Sequence, residues 1–295
     1  MKIFDFKKKK ADKLHEEGQL LSAEGKSDEA IQKYLEAIAL DPEKSVSYYN
    51  IGLIYKYQAE WQKSFEFNQK ANALDPEEES ARWNLAIAAT ALRNWEVARK
   101  KWVENGITLP GSEGPIELDW GMTPVRLNPD EHGEVVWARR IDPVRARIES
   151  IPFPESGFRY GDVVLHDGAA VGHRMQGERE YPVFNVLEMF TPSSYETRIA
   201  TVAIESETDL EALDAAFSAT QSSFEDWTRN IRTLCRACSE GRPHADHDHE
   251  LEEQWLAERR LGIAVYPGDD IDQILNRWQE ATGGKILSIE PAALR

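Results

Sequence analysis

The sequence predicts an α+β protein: three helix-turn-helix repeats make an all-α part over 11–112, and a mixed, mostly antiparallel α+β domain follows over 113–295. Three observations predict this. Segments 11–44, 45–78 and 79–112 align at a period of 34 residues. The basic residue type changes where the third segment ends: residues 1–112 hold 14 Lys and 3 Arg, whereas residues 113–295 hold Lys285 and 17 Arg. Beyond that point, stretches rich in β-branched and aromatic residues precede long helical ones.

Composition narrows the function classes. The 295 residues are 41% hydrophobic, enough for two cores. No apolar run approaches the roughly 18–20 residues of a membrane span. Two cysteines do not make a disulfide scaffold, so a reducing compartment, the cytoplasm, is expected. The net charge of -17 argues against nucleic acid, whose phosphates need a basic footprint. Residues 1–112 hold 17 basic and 18 acidic side chains, and residues 113–295 hold 18 and 34. The acidity therefore belongs to the second part.

Residues 1–10, "MKIFDFKKKK", fit no repeat and lack the apolar h-region of a secretory signal. Lys7 to Lys10 could touch an anionic surface. A solvated lead-in to the first helix is preferred, because four lysines with one short apolar patch anchor weakly. The leader loosely resembles those of small bacterial immunity proteins.

In the repeats, Gly18, Gly52 and Ala86 recur where paired helices must approach closely, and Pro42, Pro76 and Pro110 each follow a second helix. Leu14, Leu21, Gly25, Ala30, Tyr34 and Ala37 complete the first pattern. Tyr48, Ile51, Tyr55, Ser64 and Ala71 answer in the second, and Leu85, Ala89, Ala98 and Trp102 in the third, where Asn105 replaces an expected alanine. This pattern resembles the tetratricopeptide repeat (TPR), and the resemblance covers about a third of the chain. It implies a short right-handed superhelix whose concave groove is lined by first-helix positions. Carried over, these are Asp12, His15 and Gln19, then Tyr49, Asn50, Leu53, Lys56 and Tyr57, then Trp83, Asn84 and Ile87. A protein partner is implied, with Tyr49, Tyr57 and Trp83 as aromatic anchors. Whether they face a partner or pack on the second domain stays open. Some family members grip a peptide's terminal carboxylate with lysines, an arginine and asparagines. Asn50 and Asn84 suit that role, but His15 and Ser80 stand at the cationic positions.

The cluster "TLPGSEGPIELDWG", 108–121, marks the junction. Strands are expected in "EVVWARRI", "ARIESIPF", "GDVVLH", "YPVFNVLEMF" and "ETRIATVAI", on a sheet covered by helices on one face. A helix is expected from about Asp209 to Glu240, with Phe224, Trp227, Ile231 and Leu234 as one buried stripe. A further helix is expected over about Leu251 to Arg260. "GIAVYP" and "KILSIEP" then read as strands around the helix "DIDQILNRWQEAT", which turns Ile271, Ile274, Leu275 and Trp278 inward.

Two polar concentrations are chemical candidates. "LCRACSEGRPHADHDHE" carries Cys235, Cys238, His244, His247 and His249. On the expected helix both thiols sit at the C-terminal end, where the dipole opposes a thiolate, so redox chemistry is disfavoured. Two readings remain: one structural zinc on the Cys/His set, with Asp246 and Asp248 behind the imidazoles, or two reduced core thiols beside a polar loop. In "VLHDGAAVGHRMQGERE", His166, Asp167 and His173 could form a metal or acid–base cluster, but Asp-Gly after a strand reads first as a hairpin turn. No P-loop, dinucleotide loop, G-x-S-x-G or HExxH is present, and no catalytic residue is assigned. The expected function is a non-enzymatic protein–protein interaction protein. The alternatives are an immunity or inhibitor protein for a basic toxin or nuclease, steered by charge, and a metal-dependent enzyme with its site in the second domain.

Overall fold

The computed structural model describes residues 2–131, 133–228 and 256–293. The chain divides into two compact units, Met1–Glu117 and Leu118–Arg295.

The first unit is six helices in three hairpins: α1 (Lys2–Ala23) with α2 (Ser27–Leu40), α3 (Ser45–Tyr57) with α4 (Trp61–Leu74), and α5 (Glu79–Ala91) with α6 (Trp95–Glu104). The leader is the first turns of α1 rather than a separate arm, with Phe6 and Lys7 to Lys10 exposed. Close approach fixes the first two hairpins. A Cβ on Gly18 would lie 2.7 Å from the Tyr34 ring, and one on Gly52 would lie 2.5 Å from the Asn68 amide. The two helices of a hairpin turn at Gly25, Ala59 and Arg93, all at positive φ and 34 residues apart. Pro42 and Pro76 each lie two residues past a helix end. The third repeat departs from this, because α6 stops at Glu104, well before Pro110. There Asn105 turns its amide back onto the Lys101 carbonyl, and Gly106 adopts positive φ. The segment after α6 is pinned by Arg99, which is 9% exposed and donates to the carbonyls of Pro110, Gly111, Gly114 and Pro115.

The second unit holds two sheets rather than one. Strands β1 (Met122–Leu127), β2 (Glu134–Arg140), β3 (Arg145–Ile148), β4 (Val163–Gln176) and β5 (Arg179–Thr191) form a closed barrel. Neighbours along the chain pair antiparallel. An odd number of alternating strands brings first and last together in the same direction, so β1 and β5 pair in parallel, at Val125↔Phe184 and Arg126↔Asn185. Val125, Leu127, Val136, Ala138, Ala146, Ile148, Val164 and Val186 fill the interior. Strand β1 is not among the strands expected from the sequence; it carries Pro124 at its third position. Nor is Asp167–Gly168 a turn. Both residues lie within β4, where the pairing with β5 is irregular between Leu165 and Gly172, and the chain reverses at Gly177–Glu178. From about residue 169 to 182 the β4–β5 ribbon is largely exposed.

The second sheet has the order β7-β8-β6-β9, from β6 (Glu196–Ala203), β7 (Ser223–Asp226), β8 (Glu258–Val265) and β9 (Lys285–Pro291), with α7 (Glu207–Ser218) and α8 (Ile271–Ala281) between strands. All neighbours are antiparallel, so β6 and β7 run parallel around β8, and β8 and β9 run parallel around β6. This is the split βαβ arrangement of ferredoxin-like sheets. Ser206 and Asp270 cap the two helices through their side chains. Leu213, Phe217, Ile271, Ile274, Leu275 and Trp278 pack on Ala200, Val202, Leu261 and Ile263 of the sheet.

Two expected helices are corrected. The helix after Asp209 ends at Ser218, and Phe224 lies in β7 with Trp227 just beyond it. A 3.6-residue period would put both on one face. An extended strand, with period two, puts residues three apart on opposite faces. Accordingly Phe224 packs with the helices, while Trp227 joins Ile151 and Ala264 on the other side. Residues 258–260, expected at a helix end, belong to β8. Ile231, Leu234 and residues 251–255 lie outside the described residues.

Trp227 couples barrel to sheet. Its indole N–H donates to the Ile151 carbonyl at 3.3 Å, its ring meets Phe153 edge-on at 4.9 Å, and Gly262 lies directly beneath it. A Cβ at Gly262 would overlap the indole, so Gly262→Ala should cost about 2–3 kcal/mol by overpacking. Urea unfolding measures this, and a change under about 0.5 kcal/mol would remove Trp227 from the coupling role.

Candidate functional site

The groove positions fall on α1, α3 and α5, and the structure treats them unequally. On α3, residues 46, 49, 50, 53 and 57 repeat at helical spacing and form one stripe. Val46 is 44% and Tyr57 61% exposed, while Tyr49, Asn50 and Leu53 are half-buried. Lys56 is 4% exposed, donates to Asn84 Oδ1 at 3.3 Å and lies 4.4 Å from the Tyr57 ring centroid. On α1, Gln19 is exposed but His15 is buried: Nδ1 bonds Ser47 Oγ at 2.9 Å and the ring tilts against Tyr34 at 5.3 Å. Burial, with Lys44 nearby, lowers the His15 pKa, and Asp12 partly opposes this. Imidazole is therefore the resting form at neutral pH. On α5, Trp83 is half-buried and meets Trp102 edge-on at 4.9 Å, Asn84 is nearly buried, and Ile87 is fully buried. The open part of the groove therefore belongs to α1 and α3. On α5, Asn84 and Ile87 contribute packing, and Trp83 is half-buried like Tyr49 and Leu53.

Two clefts went unnoticed in the sequence. One, of about 720 Å³, lies among Asn72, Pro76, Arg82, Leu85, Val97 and Lys101. The other, of about 670 Å³, lies between α6 and residues 109–114. In the first cleft Lys101 reaches Asn72 and Glu104 at 2.7 and 2.6 Å, and Arg82 reaches Asn105 and the Pro76 carbonyl. The Lys101–Asn72 bond ties α6 to α4.

Residues 18–58 match the family model described as TPR repeat. The helical repeats of this chain are tetratricopeptide repeats. Tetratricopeptide repeat protein 6 of Homo sapiens is 35% identical over 69 residues, 23% of this chain and 13% of that protein. Photosystem I assembly protein Ycf3 of Cyanophora paradoxa is 34% identical over 84 residues, 28% and 49% of the two chains. The chain thus spans half or less of the curated relatives it matches. Among solved structures, the first TPR domain of Spaghetti (RPAP3), bound to the HSP90 peptide SRMEEVD, is 28% identical. It covers 33% of this chain and 77% of its own, at a TM-score of 0.32. The Sgt2 TPR domain from Aspergillus fumigatus is 23% identical and covers 32% and 62%, at 0.30. The family match lies within the first unit.

In the second unit the candidate histidines separate. His166 is fully buried, whereas His173 lies on the exposed ribbon seven residues further along β4, about 20 Å away at strand rise, beside Glu180 at 3.6 Å. They form no joint acid–base or metal cluster. His166 stacks on Phe184 at 5.0 Å and donates from Nδ1 to the Asp167 carbonyl at 2.7 Å. Arg140 lies 5.4 Å from the same Phe184 ring and 5.3 Å from Trp120. Nearby in sequence, Asp142 takes the amides of Val144 and Arg145 and the Arg145 guanidinium, locking the β2–β3 turn. Among the described residues no group of three His, Cys, Asp or Glu could hold a metal ion. Cys235, Cys238, His244, His247 and His249 lie outside those residues. No helix among the described residues is long and apolar enough to cross a membrane.

Burial pushes the His166 pKa down to about 4; the Asp167 carbonyl opposes this and Arg140 adds to it. Above the ordinary value of 6.5 the ring is neutral in folded and unfolded chains alike. Below it the unfolded chain takes up a proton that the folded chain refuses, so stability falls as pH drops from 6.5 toward 4. The share of this one group is about 3 kcal/mol by the foot of that window. A His166→Asn variant should lose correspondingly less stability across it, read by urea unfolding at stepped pH. Parallel curves for the two proteins would contradict this.

Proposed function

We propose that this protein is a non-enzymatic, cytoplasmic interaction protein whose repeat groove docks a segment of a partner protein. One observation carries the reading: the α3 stripe leaves Val46 and Tyr57 exposed on a rigid helical frame, with Tyr49 and Leu53 half-buried beside them. Apolar and aromatic residues presented together on a fixed surface are the usual anchors of a protein interface.

Truncating both Tyr49 and Tyr57 to alanine should reduce capture of native-cell partners by about tenfold or more, with helix content unchanged by circular dichroism. Undiminished capture by the double variant would sink the groove. A second reading rests on charge: residues 113–295 hold 34 acidic and 18 basic side chains. On this reading the acidic unit meets a basic partner, as an immunity or inhibitor protein would, and the captured set shrinks as salt is raised.

The Cys235, Cys238, His244, His247 and His249 set is proposed to hold one structural zinc ion, since two thiolates and two imidazoles make a closed tetrahedral shell. Elemental analysis of protein purified without chelators should find near one zinc per chain. The metal should be lost in Cys235→Ser together with thermal stability, and metal-free wild type would end this proposal.

A further inference from the structure

Helix α1 is longer than its counterparts. Helices α3 and α5 begin at Ser45 and Glu79, and the same repeat position on α1 is Ala11, yet α1 begins at Lys2. Its first nine residues, Lys2 to Lys10, therefore run about 13 Å ahead of the repeat pattern. The packed stripe starts with Ala11 and Leu14, which are buried. Ahead of them Phe6 is 69% exposed, the most exposed large apolar side chain among the described residues, and Lys7 to Lys10 are exposed with it. A phenylalanine held in water contributes nothing to the core. Charge at this end is cationic. Residues 1–13 hold six lysines, no arginine and two aspartates. Phe6, Lys9, Lys10 and Lys13 repeat at helical spacing on one side of α1. The acidic residues Asp12 and Glu16 lie roughly 100° around the helix from Phe6. Asp12 is bonded to Lys44 at 2.5 Å, and Glu17 reaches Lys33 at 3.5 Å.

We propose that this overhang holds the protein reversibly against an anionic lipid surface, with Phe6 seated among the headgroups and the lysines around it over their phosphates. Three features favour lipid over another anion. An exposed aromatic beside cations gains most where an apolar boundary meets negative charge. The lysines at 7 to 10 step by about 100° and point to most sides of the helix. Laterally mobile headgroups can gather around such a ring, whereas one fixed protein surface meets one side of it. Ammonium groups suit a diffuse field, while fixed, paired acceptors favour guanidinium forks. The overhang has no arginine, although residues 113–295 hold 17. Repulsion between those acidic residues and the same surface decays within about 8 Å at physiological salt.

Flotation of the full chain with two kinds of vesicle tests this, one of phosphatidylcholine alone and one with about 30% phosphatidylserine added. The anionic vesicles should take up at least about tenfold more protein, and about 0.5 M salt should release it. Each lysine near the surface multiplies partition about fivefold, so the pair Lys9→Gln and Lys10→Gln should lower it about 25-fold. Phe6→Ala should lower it about fivefold. All three side chains are exposed, so helix content by circular dichroism should stay unchanged. Equal uptake by both vesicles, uptake by neither, or uptake that the lysine variant leaves intact overturns the proposal. Retention by single-stranded RNA or by polyglutamate, with anionic vesicles ignored, overturns it in favour of a nucleic-acid or protein partner.

Discussion

The first unit depends on how near two helices can come. At Gly18 and Gly52 there is no room for a methyl group, because Tyr34 and Asn68 from the second helix fill the space. That approach sets the distance within each hairpin, and stacking of hairpins sets the curvature of the array. The α3 stripe is a consequence. Ile51 and Ile54 turn inward to the hairpin core, leaving the opposite positions facing out. The same contact explains the fate of the polar groove residues. Tyr34, held against Gly18, is the ring that His15 leans on and the hydroxyl that Asn50 bonds. A packing requirement in the hairpin thus reaches the chemistry of the groove.

The second unit uses the same device with a larger ring. Gly262 makes space for Trp227, and Gly284 does so for Trp278, whose indole N–H donates to the Asp209 carbonyl at 2.7 Å. Trp278 closes the helix layer over the ferredoxin-like sheet, and Trp227 closes the opposite face against the barrel. Asp142 is satisfied by its own turn, whereas His166 Nδ1 donates to the next carbonyl and its buried Nε2 has no hydrogen-bond partner among the described residues.

The repeats were legible in the sequence because their constraint recurs: small residues at 18, 52 and 86 state a helix contact three times over. The last helix and the last sheet strand were legible from their own periods, and the buried stripe Ile271, Ile274, Leu275 and Trp278 is as read. What failed was local pattern without a repeat to check it. Phe224 and Trp227 sit three apart, a spacing that serves one face of a helix or two faces of a strand. Only β8, more than thirty residues later, decides between them. A bulged strand disguised Asp167–Gly168 as a turn. Closure of the barrel depends on a pairing between residues about sixty apart, which no window of sequence contains. At the groove the residue types were readable. Their availability was not, since burial of Ile87 and Lys56 is a property of the assembled unit.

The three elbows at Gly25, Ala59 and Arg93 share one left-handed shape but not one residue. Glycine takes that shape freely, whereas a side chain opposes it by about 1–2 kcal/mol. The second and third hairpins are therefore wound against a small spring that the first lacks, and the flanking helices hold the spring closed. Cut from its neighbours, such a hairpin would relax first at its elbow. Within the array the stacked neighbours oppose that relaxation.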